Sequence, residues 1–233
     1  MLILAIDTAF QTGGAALVED ERLLGEVILG GDTTHSRRLL GAIDYLLEQA
    51  DRRRGDLTGV AVDLGPGYFT GLRIGLATAQ GLALGLGIPC WGCSSLRLLA
   101  QGVAGRQGRL WAVADARRGL VYAAPFEKNG HELQRLEPDA AMAPQRLAGL
   151  LEPPALLVGD GARLYADTLL APGLDLAPAW CDTPRPGLLA LLACRPLEAG
   201  AGVAPEELKP RYVRPSDAEV RFGLPLEGYR LLD

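Results

Sequence analysis

The residues best suited to chemistry form a glycine-rich loop, Gly65-Pro66-Gly67-Tyr68-Phe69-Thr70-Gly71, which continues through Arg73 to Gly75. A strand pattern precedes the loop and a helix pattern follows it, so backbone N–H groups and the helix dipole could face an anion there. No Lys-Ser/Thr pair follows the glycines, and the spacing from Gly67 to Gly71 is one residue too long for a dinucleotide-binding loop. The loop therefore indicates either a phosphate site or a tight structural turn.

Aspartates end two apolar strand patterns that resemble each other, Leu4-Ala5-Ile6-Asp7 and Ala112-Val113-Ala114-Asp115. A strand-end carboxylate can hold hydrated Mg²⁺ near a phosphate, and Thr8 and Thr12 would then lie close to a nucleotide. The same carboxylate can instead cap the turn that follows the strand. Because no further acids stand nearby in the sequence, we favour the turn for both aspartates.

Cysteine and histidine supply little further chemistry. Cys90-Trp91-Gly92-Cys93 has the spacing of a redox pair, which would make the chain a thiol oxidoreductase, but a free cysteine is often a small buried hydrophobe. The only histidines, His35 and His131, do not have a metal-binding spacing, and no nucleophile stands with a base and an orienting acid. We predict no catalytic residue and no metal site.

Strand and helix patterns alternate along the chain and position the glycine loop. Three apolar segments, 2–6, 13–18 and 23–29, predict an antiparallel meander, and apolar residues at helical spacing predict a helix over 36–50. A strand at 59–64 leads into the glycine loop, and a helix capped by Thr70 should run to about Gly85.

A similar order of patterns follows in the second half of the chain, where a short helix is expected over 187–192. We therefore expect an α/β fold with mixed sheets. The expected lobes are residues 1–104, which carry the first two helices, and residues 105–233, which include a proline-rich tail.

The helix after the glycine loop carries two ridges of small residues. Glycine inside a helix costs about 1 kcal/mol relative to alanine, so several glycines in one helix indicate that another element packs very close. One ridge can lie against the sheet, and the other is then free for a helix of this chain or of a partner. The sequence leaves open which ridge faces outward: Gly71, Gly75, Ala79 and Ala83, or Ala77, Gly81 and Gly85.

Composition and charge restrict the class of protein. The chain has 233 residues, 48% of them hydrophobic, and a formal net charge of −5. This negative charge argues against a protein that binds nucleic acid through its overall electrostatic attraction. No apolar run approaches the ~18 residues of a spanning helix, and no secretory signal is visible. Four cysteines in a chain of this length do not make a disulfide scaffold, so we expect a cytoplasmic protein without membrane contact.

Taken together, these motifs resemble the TsaB family, also called YeaZ. One residue departs from the family, since Tyr68 stands where the family usually has serine. The resemblance implies an actin-like, sugar-kinase-like ATPase fold built from two ribonuclease-H-like lobes. The matching segments are spread over nearly the whole chain, at residues 3–9, 35–36, 65–75, 79–83, 94–96, 115–117, 119–122, 159–161 and 210–214.

The resemblance also implies a role without catalysis. TsaB-family proteins are accessory subunits in making threonylcarbamoyladenosine next to the anticodon of tRNA. By resemblance, this chain would be a scaffold that binds the catalytic subunit, TsaD, with the ATPase TsaE joining the assembly and tRNA contacted only through the complex. Alone, the chain would form a homodimer. No cofactor is expected, apart from ATP or ADP at the subunit interface.

The family pairs through its first two helices, which here are the predicted helices 36–50 and 70–85. The expected partner-binding residues are the apolar and small residues of these helices: Leu39, Ile43, Leu46, Leu72, Gly75, Leu76, Ala79 and Ala83. The alternative function is an active ATPase or phosphotransferase of the same fold. It would use Asp7, Thr12 and the loop from Gly65 to Gly71. The candidate residues of the glycine loop as a whole are Gly65, Pro66, Gly67, Thr70, Gly71 and Arg73.

Overall fold

The structure is a computed structural model that describes residues 1–30, 35–103, 105–130, 132–215 and 231–232. The chain divides into two compact units. The first unit comprises Met1–Ser95 and Arg185–Arg211, and the second comprises Leu96–Pro184 and the described residues from Tyr212 onward. Residues 185–211 thus belong with the N-terminal sheet, whereas the sequence assigned them to the second lobe. His131 and Ala104, the last residue of the first expected lobe, lie outside the described residues.

The sheet of the first unit is mixed, because an antiparallel meander adjoins two parallel strands. Its strand order is β3-β2-β1-β4-β5, and β4 and β5 run parallel to β1. The predicted meander and the predicted strand before the glycine loop are confirmed. The strands are β1 (Leu2–Asp7), β2 (Gly13–Glu19), β3 (Arg22–Leu29), β4 (Gly59–Asp63) and β5 (Cys90–Cys93).

The sheet of the second unit repeats this arrangement around its first strand. β6 has an antiparallel neighbour, β7, on one side and a parallel neighbour, β10, on the other, as β1 has β2 and β4. The order is β11-β10-β6-β7-β9-β12, with β8 paired to β7. The expected α/β fold with two mixed sheets is therefore confirmed. The strands are β6 (Gly108–Asp115), β7 (Val121–Asn129), β8 (Glu132–Arg135), β9 (Ala140–Met142), β10 (Ala155–Val158), β11 (Leu174–Leu176) and β12 (Leu231–Leu232).

The two helices predicted in the N-terminal half are confirmed, and the late helix is longer than expected. Pro186 stands in its first turn, where the missing N–H is not needed, and the helix continues to Glu198. In the described part of the chain no helix is both long and apolar enough to cross a membrane. The helices are α1 (His35–Gln49), α2 (Phe69–Leu86), α3 (Ser95–Gln101), α4 (Pro144–Ala148), α5 (Asp160–Leu164), α6 (Ala166–Leu169) and α7 (Pro186–Glu198).

Helices cover both faces of the first sheet. Leu4 and Ile6 of β1 share one core with Ile43 of α1 and Ala79 of α2, so α1 and α2 lie on the same face. Val60 of β4 belongs to the same core. Because neighbouring strand residues point to opposite faces, the adjacent Gly59 faces the other side of the sheet. A Cβ placed on Gly59 would lie 2.8 Å from Cδ1 of Leu197, which shows that α7 packs there. This packing explains why residues 185–211 belong to the first unit.

Helix α2 buries one small-residue ridge and exposes the other. Gly71, Gly75, Ala79 and Ala83 are buried, whereas Ala77, Gly81 and Gly85 are exposed. A Cβ placed on Gly75 would lie 2.4 Å from Oγ1 of Thr8, while one placed on Gly81 would meet nothing within 4 Å. The orientation that the sequence left open is therefore resolved: the ridge through Gly75 faces the sheet.

The two ridges should respond oppositely to the same substitution. Gly75→Ala should lower the free energy of unfolding by about 1–3 kcal/mol, because the new methyl group overlaps the buried Thr8 hydroxyl. Gly81→Ala, the matched control, should leave it unchanged or raise it by up to about 1 kcal/mol, because alanine favours a helix. Urea denaturation measures both variants, and equal stabilities would contradict the assignment of the ridges.

Candidate functional site

The glycine loop packs against the segment that follows β1. The backbone N–H of Tyr68 donates to the carbonyl oxygen of Ala9 over 2.6 Å. The hydroxyl of Thr8 donates to the carbonyl oxygen of Gly71 over 2.7 Å. A Cβ on Gly67 would lie 2.3 Å from the Ala9 oxygen, so only glycine permits this approach. The chain itself thus occupies the inner side of the loop, which favours the structural-turn interpretation.

The side chains of the loop also make contacts within the first unit. The Tyr68 ring meets Phe10 edge-on at 5.8 Å between centroids, and the Arg73 guanidinium stacks 3.9 Å over the ring of Phe69. Pro66 is buried, while Thr70 is exposed. The expected cap at Thr70 is wrong, because the helix already begins at Phe69 and its N-cap residue is Tyr68. Tyr68 has extended backbone angles and provides no side-chain cap.

Strand-end aspartates cap the turns that follow them, as predicted. Oδ1 of Asp7 accepts a hydrogen bond from the N–H of Ala9 over 2.9 Å, and Oδ1 of Asp115 accepts one from the N–H of Arg117 over 2.9 Å. These bonds to the residue two positions on are the mark of an Asx turn. Thr12 is half-buried before β2, where its methyl group would lie 3.7 Å from a Cβ on Gly30.

A second buried carboxylate, Asp63, lies beside Asp7, and the sequence reasoning missed it. Both side chains are 2% exposed, at the carboxyl ends of the parallel neighbours β1 and β4. Oδ1 of Asp63 accepts hydrogen bonds from the N–H of Gly65 over 2.8 Å and from the hydroxyl of Ser95 over 2.6 Å. The available signal was that Asp63, like Asp7, ends an apolar strand pattern.

Burial raises the pKa of Asp7 well above its usual range, and the charge of Asp63 raises it further. Both effects oppose ionisation of Asp7, because a charge leaves water and meets a like charge. A proton held between two carboxylates relieves both effects, so the pair can remain buried. Within the described ranges, no group of three or more His, Cys, Asp or Glu residues is arranged to hold a metal ion.

The second unit contains a corresponding pair of carboxylates. Asp115 ends β6, and Asp160 follows its parallel neighbour β10 by two residues. The N–H of Asp115 donates to Oδ1 of Asp160 over 2.9 Å. Burial raises the pKa of Asp160, with a smaller contribution from the charge of Asp115. The similarity between the two halves therefore extends from the strand pattern to the side chains at the strand ends.

The cysteine pair lies along strand β5 and is poorly suited to redox chemistry. Cys90 and Cys93 are three residues apart in an extended strand, so their side chains point to opposite faces of the sheet. Both are buried, and burial raises the pKa of Cys90 to about 11, with a smaller contribution from Glu206. A thiol with this pKa is protonated at neutral pH and is a poor nucleophile.

The expected partner-binding residues lie in the core of the first unit, which corrects their expected position. Their side chains face the sheet because they form the apolar stripes by which α1 and α2 pack on β1 and β4. The buried residues are Leu39, Ile43, Leu46, Leu72, Gly75, Leu76, Ala79 and Ala83.

A different set of residues on the same two helices faces outward. Leu40 and Tyr45 of α1 are 50% and 55% exposed, and Leu84 of α2 is 66% exposed. α1 and α2 contact each other, so these residues belong to one layer of the unit. Exposed apolar groups that form one patch are typical of an interaction surface. We define the outer helical face as Leu40, Gly41, Tyr45, Ala77, Gly81, Leu84 and Gly85.

Comparisons with known proteins agree on one pathway. A family model for TsaD, tRNA N6-adenosine threonylcarbamoyltransferase, matches residues 28–175. The chain is 34% identical over 229 residues to the tRNA threonylcarbamoyladenosine biosynthesis protein TsaB of Bacillus subtilis (strain 168), which covers 95% of this chain and 98% of that protein. It is 33% identical over 224 residues to TsaB of Escherichia coli (strain K12), covering 92% and 95%.

A solved structure shares the fold over most of the chain. YeaZ from Pseudomonas aeruginosa superposes on this structure with a TM-score of 0.80 at 28% sequence identity. The superposition covers 91% of this chain and 99% of the YeaZ chain.

The Asp7–Asp63 pair should make stability depend on pH. The folded pKa of Asp7 is raised, so its stabilising contribution is present at low pH and is lost as pH rises through that pKa. Asp7→Asn keeps the oxygen that accepts from Ala9 and cannot ionise. The free energy of unfolding of this variant, relative to that of the wild type, should therefore increase as pH rises from about 4. Urea titrations at several pH values measure the difference.

The exposed Asp167 of α6 provides the matched control. Asp167→Asn should leave the shape of the pH profile unchanged, because its side chain is in solvent. If Asp7→Asn and the wild type show parallel profiles, the raised pKa of Asp7 is contradicted.

Proposed function

Because the chain belongs to the TsaB (YeaZ) family, we propose that it acts in tRNA threonylcarbamoyladenosine biosynthesis as a scaffold that binds a TsaD-type catalytic subunit. The role in this pathway rests on the similarity to curated TsaB proteins over most of the chain. The scaffold role rests on one structural observation, the outer helical face of α1 and α2.

The outer helical face has the chemistry of an interface centre. Leu40, Tyr45 and Leu84 are large groups that lose exposed apolar surface when covered, and aromatic residues are enriched among the residues that dominate binding energy. The exposed Asp44 lies next to Tyr45 on α1 and pairs with Arg54 over 2.5 Å. An apolar centre with a polar rim is the usual arrangement of a specific protein–protein interface.

Small residues let another helix approach α2 closely. A Cβ placed on Gly41, Gly81 or Gly85 would meet nothing within 4 Å, so the backbone surface is open at these positions. Helices pack at 8–10 Å between axes, and the shorter distances require small side chains at the contact. The exposed ridge Ala77, Gly81 and Gly85 provides such a groove along α2. We propose that it receives a helix of the partner.

The match to the TsaD family model supports the identity of the partner. It covers residues 28–175, which include α1 and α2, so this chain and a TsaD-type subunit share the pattern of these helices. Two related subunits can pair through equivalent helices in a pseudo-symmetric arrangement. By the same argument, the isolated chain pairs with a second copy, and TsaE and tRNA join at the level of the complex.

The proposed supporting role agrees with the packing of the glycine loop. In a phosphate-binding loop, free N–H groups point at the ligand. Here the N–H of Tyr68 is bonded to Ala9, and Gly67 abuts the same carbonyl group. This loop therefore stabilises the contact between α2 and the end of β1, and we assign it no catalytic role.

Substitution on the outer helical face should separate binding from folding. Gly81→Arg places a long charged side chain in the groove and should weaken the affinity for the TsaD-type subunit about tenfold or more. Gln145→Arg, at an exposed position of α4, is the matched control and should bind as the wild type does. Calorimetry with the purified partner measures affinity, and thermal unfolding checks that both variants fold.

The same variants test the role in the pathway. Threonylcarbamoylation of tRNA by the reconstituted complex should fall with Gly81→Arg and persist with Gln145→Arg. Wild-type affinity in Gly81→Arg would contradict the proposed face. ATP hydrolysis by the purified chain alone, lost in Asp7→Asn, would instead support the alternative of an active ATPase.

A further inference from the structure

The second unit contains a small polar cavity that the proposed function does not use. It has a volume of about 300 Å³ and lies where β6 begins, at Gly108 and Arg109. Glu127 of β7 and the segment 152–154 before β10 complete its walls. The cavity is at the opposite end of β6 from Asp115, so it is separate from the carboxylate pair of this unit. We call it the Arg106 cavity.

Two of the four charged side chains around the cavity satisfy each other. Nε of Arg109 lies 3.4 Å from Oε2 of Glu127, its direct partner across the β6–β7 pair. The second contact of Arg109, from Nη1 to Oε2 of Glu152, is long at 3.8 Å, and the Glu152 side chain is 81% exposed. Arg106 and Glu152 therefore remain as one positive and one negative group available to a ligand.

Arg106 carries a buried donor that its surroundings leave unsatisfied. Its Nε is shielded from solvent and has no hydrogen-bond partner in the part of the chain that the structure describes. Buried polar groups nearly always have a partner, and an orphaned group of a cation is especially costly. A ligand cannot reach Nε itself, because this atom is shielded from solvent. Arg106 also lines the cavity, however, and arginine binds carboxylates through charge-assisted hydrogen bonds, so a carboxylate in the cavity is a suitable partner for the positive charge of its guanidinium.

The remaining walls set the size and polarity of a ligand. Its volume of about 300 Å³ has room for a molecule of about ten non-hydrogen atoms. Oε1 of Gln107 already accepts the N–H of Gly130 over 2.6 Å, which leaves the amide of Gln107 as a donor. Pro153 and Pro154 add an apolar wall.

We propose that the Arg106 cavity binds a small zwitterion of the amino-acid class. Its carboxylate accepts from Arg106, and its ammonium group lies against Glu152. The charges of the lining residues, two arginines and two glutamates, sum to zero. A simple anion would be repelled by Glu152 and a simple cation by Arg106, whereas a zwitterion satisfies both groups.

An NMR titration tests this assignment with L-glutamine as the probe, and acetate and methylammonium as its two halves. L-Glutamine should shift the amide signals of Gly108 and Gly130 saturably. Acetate and methylammonium should each bind at least about tenfold more weakly than L-glutamine. No saturable shift with L-glutamine would overturn the proposal. Equal binding of acetate and L-glutamine would overturn it too, since the site would then select only an anion.

Two substitutions assign the two charges. Arg106→Gln should abolish the shifts caused by L-glutamine and by acetate. Glu152→Gln should weaken L-glutamine about tenfold and strengthen acetate, and because Glu152 is exposed this variant tests the proposal even if Arg106→Gln unfolds. Arg146→Gln, at an exposed position of α4, is the matched control and should bind as the wild type does. Unchanged L-glutamine binding in a folded Arg106→Gln or in Glu152→Gln would overturn the assignment.

Discussion

The close contact of α2 with the end of β1 is the constraint on which the first unit depends. Gly75 meets Thr8, Gly67 meets Ala9, and the Thr8 hydroxyl is bonded to the carbonyl of Gly71. No residue with a side chain fits at Gly67 or Gly75 without displacing these groups. The contact fixes α2 on the sheet, and the rotation of α2 about its axis then decides which of its residues face outward.

The order of strands and helices in the first unit could be predicted from the sequence, because period-two and helical patterns are local. The orientation of α2 could not, since both of its ridges are small and only the neighbouring Thr8 distinguishes them. Asp63 was missed for a similar reason: its partner Asp7 is 56 residues earlier, and the two meet only because β1 and β4 are parallel neighbours. The prediction of a cap at Thr70 was wrong because the helix begins one residue earlier, at Phe69, whose ring packs under Arg73.

The two units use the same device at the ends of their central strands. A buried or half-buried aspartate on the first strand turns the chain, and a second aspartate stands at the end of the parallel neighbour. In the first unit the two carboxylates face each other, whereas in the second the contact is from backbone to carboxylate. Each unit thus keeps a pair of aspartates at the carboxyl ends of its central parallel strands, although the proposed function depends on the outer helical face.

The return of α7 to the N-terminal sheet has a consequence for biosynthesis. Ile3 and Ala5 are fully buried on the face of β1 opposite α1 and α2, and α7 packs on that face. Since α7 begins at Pro186, a ribosome must translate the whole of segment 96–184 before the covering helix emerges. Segment 96–184, which holds the strands of the second sheet from β6 to β11, is continuous and can begin to fold during translation. The first unit is therefore completed only after segment 96–184 of the second unit has been translated.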